Sequence, residues 1–199
     1  MSTTDFVAAT AAVASALAAG ASWRAALKAN STASSVAAIE RDRWHSELTP
    51  RVQATVELRT QTLLLLKFEG PAGLRRLERV TLSIRDDRDR RGRPVLGGAP
   101  TDEEIAAVIW GPLRFRPGSD NADATGRTVA PFTLELDEAR PFALDPSLRP
   151  RWYDEDRWRA QYADAPLRLW IVCETDGHKP WTLSFEVGQD GIPVRNPRP

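Results

Sequence analysis

The sequence predicts an α+β protein that is mainly β, an antiparallel β-sandwich with short inserted helices behind an Ala-rich helical N-terminal segment. Three observations support this class. Short segments of alternating apolar and polar residues recur from Pro50 onward, turn signals separate them, and Ala dominates the stretch before Trp23. A series of about six to eight short strands divided by turns is typical of a sandwich or barrel.

The N-terminal stretch has the composition of a soluble helix. No charged residue lies between Phe6 and Trp23, but Asp5 stands where a signal peptide would carry a basic residue. Ala is too weakly apolar for a membrane span, and it is the best helix former. We therefore expect no membrane span here, with an export segment as the alternative.

The helical pattern predicts two helices. Gly20 is expected to break or bend the first one, and Asn30 begins a turn and a new cap before a second helix from Ala33 to about Trp44. Small side chains allow another helix or sheet to approach closely. We expect this arm to dock on a protein partner or on another copy of the chain.

Alternation identifies the first three strands. Apolar Val52, Ala54, Val56 and Leu58 alternate with polar residues, as in a half-buried strand. The apolar run Leu63 to Phe68 predicts a strand buried on both faces. A third alternating segment runs from Val80 to Ile84.

The middle of the chain combines loops with short elements. Thr101 and Glu104 have capping-box spacing and predict a helix over residues 102–110. Short strands are expected at Leu113–Phe115, Phe132–Leu136 and Phe142–Leu144, after a loop over residues 117–127. Trp152, Trp158 and Tyr162 fit one face of a further short helix.

The closing hairpin is the clearest pattern. Alternating residues run from Leu167 to Glu174 and from Trp181 to Val187, with the turn dipeptide Asp176-Gly177 between them. The hairpin resembles the last two strands of immunoglobulin-like or fibronectin-type sandwiches. This resemblance covers about 20 residues and implies a fold but no function.

These elements divide the chain into three parts. Residues 1–47 form a helical arm for docking or oligomerisation, residues 48–189 form the β-sandwich domain, and residues 190–199 form an irregular tail. The basic residues are almost all Arg, and the single cysteine, Cys173, excludes an intramolecular disulfide. A cytoplasmic location is expected.

Few residues suggest catalysis or a cofactor. The two histidines, His45 and His178, lack any metal-ligand spacing, and Cys173 occupies a core position of a strand. Asp120, Asn121 and Asp123 do not match a calcium loop and are interpreted as part of a solvated loop. We predict no catalytic residue, no cofactor and no metal site.

Charge also limits the choice of partner. The chain has 27 basic and 27 acidic residues, so no global surplus attracts nucleic acid. The Arg-rich stretch from Arg75 to Arg93 is followed closely by acids and lacks interleaved aromatic residues. We expect no nucleic-acid binding.

The sequence therefore favours a non-enzymatic protein-interaction or assembly module. An exported or surface-attached binding protein and a metal-dependent hydrolase are the alternatives. Large apolar residues are the candidate contacts, because tryptophan in particular is enriched at interface hot spots. They are Phe6, Val13, Leu17, Trp23, Trp152 and Trp158.

Overall fold

The computed structural model describes residues 3–58, 60–87 and 100–196, and within the first helix it describes the side chains of residues 22–24 and 28–47. The chain separates into two compact units, one ending at Glu47 and the other beginning at Leu48. Each unit is described by itself.

The first unit is a single helix, α1, which runs over 45 residues from Thr3 to Glu47. The expected break at Gly20 and the turn at Asn30 do not occur, so the prediction of two helices is wrong. The hydroxyl groups of Ser31 and Thr32 donate to the carbonyl oxygen of Lys28 at 2.8 and 2.9 Å. Hydroxyl groups that bond one turn back are accommodated inside a helix, and the surrounding alanines favour helix strongly.

The second unit is mostly antiparallel β-structure. In chain order its elements are β1 (Arg51–Leu58), β2 (Thr62–Gly70), β3 (Arg76–Ile84), α2 (Asp102–Ala107), β4 (Leu113–Phe115), β5 (Thr128–Glu135), β6 (Ala139–Pro146), α3 (Glu155–Tyr162), β7 (Leu167–Glu174), β8 (Trp181–Val187) and β9 (Val194–Arg195). The strands form two sheets. Their orders are β4-β6-β2-β1-β9 and β5-β3-β7-β8.

The closing hairpin is confirmed. Strands β7 and β8 pair antiparallel, with Leu167 opposite Val187 and Cys173 opposite Trp181. Gly177 in the turn has a φ of 77°, a left-handed conformation that glycine adopts without strain. The hairpin therefore lies at one edge of the second sheet, with β8 outermost.

Both sheets contribute to one hydrophobic cluster. Alternation in β1 and β7 places every second residue in this cluster, as expected for strands with one apolar face. Strand β2 follows the same rule, because Leu64, Leu66 and Phe68 are buried while Leu63 and Leu65 are only half-buried. The prediction that β2 is buried on both faces is therefore wrong; Lys67 and Glu69 share its outer side.

The two short helices lie in the connections between strands. Helix α2 begins with the expected capping box of Thr101 and Glu104 but ends at Ala107, earlier than predicted. Helix α3 begins after Asp154, whose side chain accepts the N–H of Arg157. Trp152 therefore precedes the helix instead of sharing its face with Trp158 and Tyr162.

The C-terminal segment contains one short strand where an irregular tail was expected. Strand β9 pairs with β1 through Gln53 and Ala54. The buried side chain of Asn196 accepts the N–H of Val52 at 2.8 Å and donates to the carbonyl oxygen of Pro50 at 2.9 Å. These bonds hold the segment against the beginning of β1.

Candidate functional site

A second, smaller aromatic cluster lies outside the main core. Trp110, Trp158 and Tyr162 are buried together, and Tyr153 packs against them. The ring centroids of Trp158 lie 5.6 Å from Trp110 and 4.7 Å from Tyr162. Tilted and edge-to-face contacts of this kind stabilise aromatic pairs beyond their buried area. This cluster anchors α3 to the segment that follows α2.

Two acids at the end of β3 position the cluster. The carboxylate of Asp86 accepts the N–H of Trp110 at 2.9 Å. Asp87 accepts the side-chain amide of Gln161 at 3.0 Å and the hydroxyl of Tyr162 at 3.3 Å. Asp86 and Asp87 thus have a structural role; residues 88–99, which follow them, lie outside the described residues.

The loop before β5 is organised around Asp123. Its Oδ1 accepts the backbone N–H groups of Thr125, Gly126 and Arg127 and the hydroxyl of Thr125, at 2.7 to 3.0 Å. Its Oδ2 accepts the N–H and hydroxyl of Thr128 at 2.9 and 2.5 Å. The carboxylate therefore serves as an internal acceptor that closes the loop.

The Asp123 loop is joined to the acids after β3 by Arg127. Its guanidinium donates to Asp86 at 3.0 Å and to the carbonyl oxygen of Val108 at 2.7 Å. Asp86, Trp110 and the end of α2 are consequently held to the same loop. These bonds fix one side of a surface groove.

This groove has a volume of about 420 Å³ and is open to solvent. Glu104, Val108 and Ile109 line one wall, and Thr125 of the Asp123 loop contributes to the lining. Arg114 of β4 and the segment from Leu148 to Trp152 complete it. We call it the Arg114 groove. It combines apolar surface with three arginines and one acid.

A second depression, of about 630 Å³, lies beside α3. Its charged residues are Arg149, Glu155 and Arg159, and Arg159 forms an ion pair with Glu155. Trp158 and Tyr162 form its apolar part. Two arginines against one acid leave this surface with one positive charge in excess, whereas three against one leave the Arg114 groove with two, so the second depression has the weaker preference for an anion.

The candidate contacts on α1 fall partly within the described side chains. Trp23 is 68% exposed. Phe6, Val13 and Leu17 belong to the helix, but their side chains lie outside the described residues. Further along α1, Val36, Ile39 and Trp44 are also exposed. These last three residues were not among the contacts predicted from the sequence.

The two candidate tryptophans of the β-rich unit have different environments. Trp152 is half-buried and lines the Arg114 groove. Trp158 is only 7% exposed, because it packs inside the aromatic cluster. Trp158 therefore serves internal packing, whereas Trp152 presents part of its ring at the surface.

The cysteine and the histidine of the β-rich unit pack inside the protein or against a neighbouring ring. Cys173 is fully buried, and burial raises the pKa of its thiol to about 12. The imidazole of His178 stacks on Trp181, with ring centroids 5.4 Å apart. In the described part of the chain no group of three or more His, Cys, Asp or Glu side chains has the arrangement needed to hold a metal ion.

Sequence reasoning missed Arg114 and the role of Asp123. Arg114 stands between two core positions of a three-residue strand, Leu113 and Phe115, so alternation places it on the opposite side. For Asp123, a usable signal was the run of Thr125, Gly126 and Thr128 directly after an acid, which supplies hydroxyl and N–H donors for a closed turn.

Comparisons with known proteins give no relative. No family model matches the chain, and no curated protein or solved structure is significantly similar to it. Among the described residues, no helix combines the length and apolar character that crossing a membrane requires.

Proposed function

We propose that this protein is a non-enzymatic assembly module in which α1 pairs with the α1 helix of a second copy. The observation that carries the proposal is the exposure of large apolar side chains on a 45-residue helix. Trp23 and Trp44 are 68% and 64% exposed, and Ile39 is 66% exposed. Fully burying one such side chain contributes about 1.5–3 kcal/mol, which favours association strongly.

The spacing of residues on α1 favours a helical partner. Trp23, Asn30, Ala37 and Trp44 follow one another at intervals of seven, so they form a stripe along one side of the helix. A seven-residue repeat keeps one side of a helix facing its partner in a coiled coil. The small residues between the tryptophans allow two helix backbones to approach closely.

The charge of α1 is compatible with a second copy of the same helix as the partner. Its acids and bases are equal in number, so two copies do not repel each other through net charge. They are Asp5, Glu40, Asp42 and Glu47 against Arg24, Lys28, Arg41 and Arg43. A symmetric pair of identical chains is also the commonest form of oligomer.

For the β-rich unit we propose an immunoglobulin-like antiparallel β-sandwich that acts as the rigid body of the module. The shared hydrophobic cluster supports facing sheets. Strand order supports the immunoglobulin type, because constant-type domains have sheets ABED and CFG. Here β1-β2-β6-β4 follows the first order and β3-β7-β8 the second, with β5 and β9 as additions at the edges.

The assembly is tested by measuring the mass of the full chain in solution. We expect light scattering after size-exclusion chromatography to give a dimer for the wild type and a monomer for the Trp23→Ala/Trp44→Ala variant. Alanine preserves helix propensity, so circular dichroism should report unchanged helix content. A monomeric wild type across the micromolar range would overturn the proposal.

A matched control lies elsewhere on the same helix. Val36→Ala/Ile39→Ala also removes two exposed apolar side chains, but from outside the stripe of Trp23 and Trp44. We expect this variant to remain dimeric. If it becomes monomeric while the tryptophan variant stays dimeric, the stripe is not the interface.

A further inference from the structure

We propose that the Arg114 groove binds a small organic oxyanion, a carboxylate or phosphate monoester, whose apolar part packs on Trp152 and Leu148. The first observation concerns charge. The groove contains the guanidinium groups of Arg114, Arg149 and Arg151 against the single carboxylate of Glu104. Its lining therefore has a surplus of two positive charges, which complements an anion.

The guanidinium groups of the three arginines have different partners. Arg151 forms an ion pair with Glu104. Arg149 donates to the carbonyl oxygens of Pro150 and Tyr153, which are neutral acceptors. The guanidinium of Arg114 has neither an acid nor a hydrogen-bond acceptor among the described residues, and its Nε is shielded from solvent without a partner.

Arg85 is the other described arginine whose Nε is shielded without a partner, but its Nη2 pairs with Glu186 at 2.9 Å, whereas Arg114 has no acid. Arg116, two residues along the chain, pairs with Asp145 at 2.9 Å, and Arg127 pairs with Asp86 at 3.0 Å. A partly buried guanidinium without an acceptor is unfavourable, because desolvation is not offset by hydrogen bonds. An oxyanion in the groove would place the opposite charge beside the guanidinium of Arg114, whose planar shape matches carboxylate and phosphate.

The walls of the groove define the rest of the ligand. Trp152 is half-buried, Leu148 is 64% exposed, and Val108 and Ile109 add further apolar surface. A volume of about 420 Å³ lies in the range of small-molecule sites. A single ring or a short branched chain bearing one oxyanion fits these dimensions and this chemistry.

The proposal is tested by titrating the full-length protein with phenylacetate, phenyl phosphate and inorganic phosphate, and with phenylethanol as the neutral analogue. Isothermal titration gives the affinity, and the Nε–Hε signals of arginine in a nitrogen-15 NMR spectrum report which arginine is contacted. We expect phenylacetate or phenyl phosphate to bind and to shift the Arg114 signal. Phenylethanol should bind far more weakly.

Substitution separates the groove from general surface charge. Arg114→Gln should lower the affinity about 10- to 100-fold, as expected for loss of a charge-assisted hydrogen bond. Arg79→Gln, a matched change at an exposed arginine on β3, should leave the affinity unchanged. The assembly of α1 is not involved, so both variants should keep the mass of the wild type.

Each other result overturns part or all of the proposal. If none of the anions binds at millimolar concentration, or if Arg114→Gln binds as the wild type does, the groove is not the site. If inorganic phosphate binds as tightly as phenyl phosphate, the apolar walls contribute nothing and an adventitious ion only is bound. The ratio of phenylacetate to phenyl phosphate affinity identifies which oxyanion the groove prefers.

Discussion

Replacing Asp123 by Asn removes the charge at the centre of the loop before β5 while keeping the size of the side chain. In the wild type the carboxylate accepts six hydrogen bonds from groups between Thr125 and Thr128. An Asn side chain has one acceptor oxygen, and its amide group would face donors. Asp123→Asn therefore leaves several N–H and hydroxyl groups without their acceptor.

The expected loss of stability follows from this count. Hydrogen bonds to a charged group each contribute about 1.5–3 kcal/mol, but Asp123 is only half-buried, and solvent weakens such contributions. We expect the free energy of unfolding to fall by about 2–3 kcal/mol at pH 7. For a domain of this size, that corresponds to a decrease in Tm of about 5–10 °C.

The difference in free energy of unfolding between the wild type and Asp123→Asn should also depend on pH. Desolvation by burial acts to raise the pKa of Asp123, but the hydroxyl groups of Thr128 and Thr125 and the N–H groups of Arg127 and Thr128 outweigh it and hold the pKa well below its ordinary value. In the unfolded chain an Asp titrates at about 3.9. Because the folded pKa is the lower one, the stabilisation is present above the unfolded value and is lost progressively as the pH falls below about 4.

The assay is urea unfolding followed by tryptophan fluorescence at pH 7, 5 and 3. The difference between wild type and Asp123→Asn should be equal at pH 7 and 5 and smaller at pH 3. Asp164→Asn, at an exposed loop position, serves as the control and should match the wild type throughout. A difference that stays constant down to pH 3 would refute the assigned protonation effect, and no difference at pH 7 would refute the loop's structural role.

Two further predictions concern buried positions. A Cβ at Gly126 would lie 2.1 Å from the carbonyl oxygen of Phe115, and the φ of this glycine is +79°. Gly126→Ala should therefore unfold at clearly lower urea concentration than the wild type, and an unchanged midpoint would contradict this geometry. Cys173 is buried and its thiol pKa is raised to about 12, so the native protein should not react with a disulfide reagent at pH 8. One equivalent should react in denaturant, whereas fast reaction of the native protein would show that the strand opens.

The sequence was most informative where the chain forms regular strands. Alternation identified β1, β3, β7 and β8, because one face of each strand is apolar and the other is not. The apolar run in β2 led to an overestimate of that strand's burial, because Leu63 and Leu65 are apolar residues on the outer side of the sheet. An apolar run does not reveal which of its faces the rest of the fold covers.

Local signals were less reliable in the helices. The capping box at Thr101 fixed the beginning of α2, because both of its hydrogen bonds lie within four residues. Asn30 suggested a turn, yet α1 continues through it. Its side chain permits either conformation, and the high helix propensity of the alanines on both sides decides the outcome.

The Arg114 groove could not be predicted from the sequence because its residues are distant from one another in the chain. Arg114, Glu104 and Trp152 come from three separate segments that only the fold brings together. Trp152 was a candidate on residue type, but Arg114 gave no such signal. Its significance depends on what surrounds it, and the sequence of a three-residue strand does not specify that.

The Asp123 loop and the Arg114 groove are parts of one arrangement. Asp123 closes the loop, Arg127 connects it to Asp86 and to the carbonyl oxygen of Val108, and Val108 lines the groove. The position of this wall is therefore fixed by hydrogen bonds inside the chain and not by a ligand. A wall fixed in advance reduces the entropy that binding must overcome, so a solvent-open groove with one unpaired guanidinium can still select a small anion.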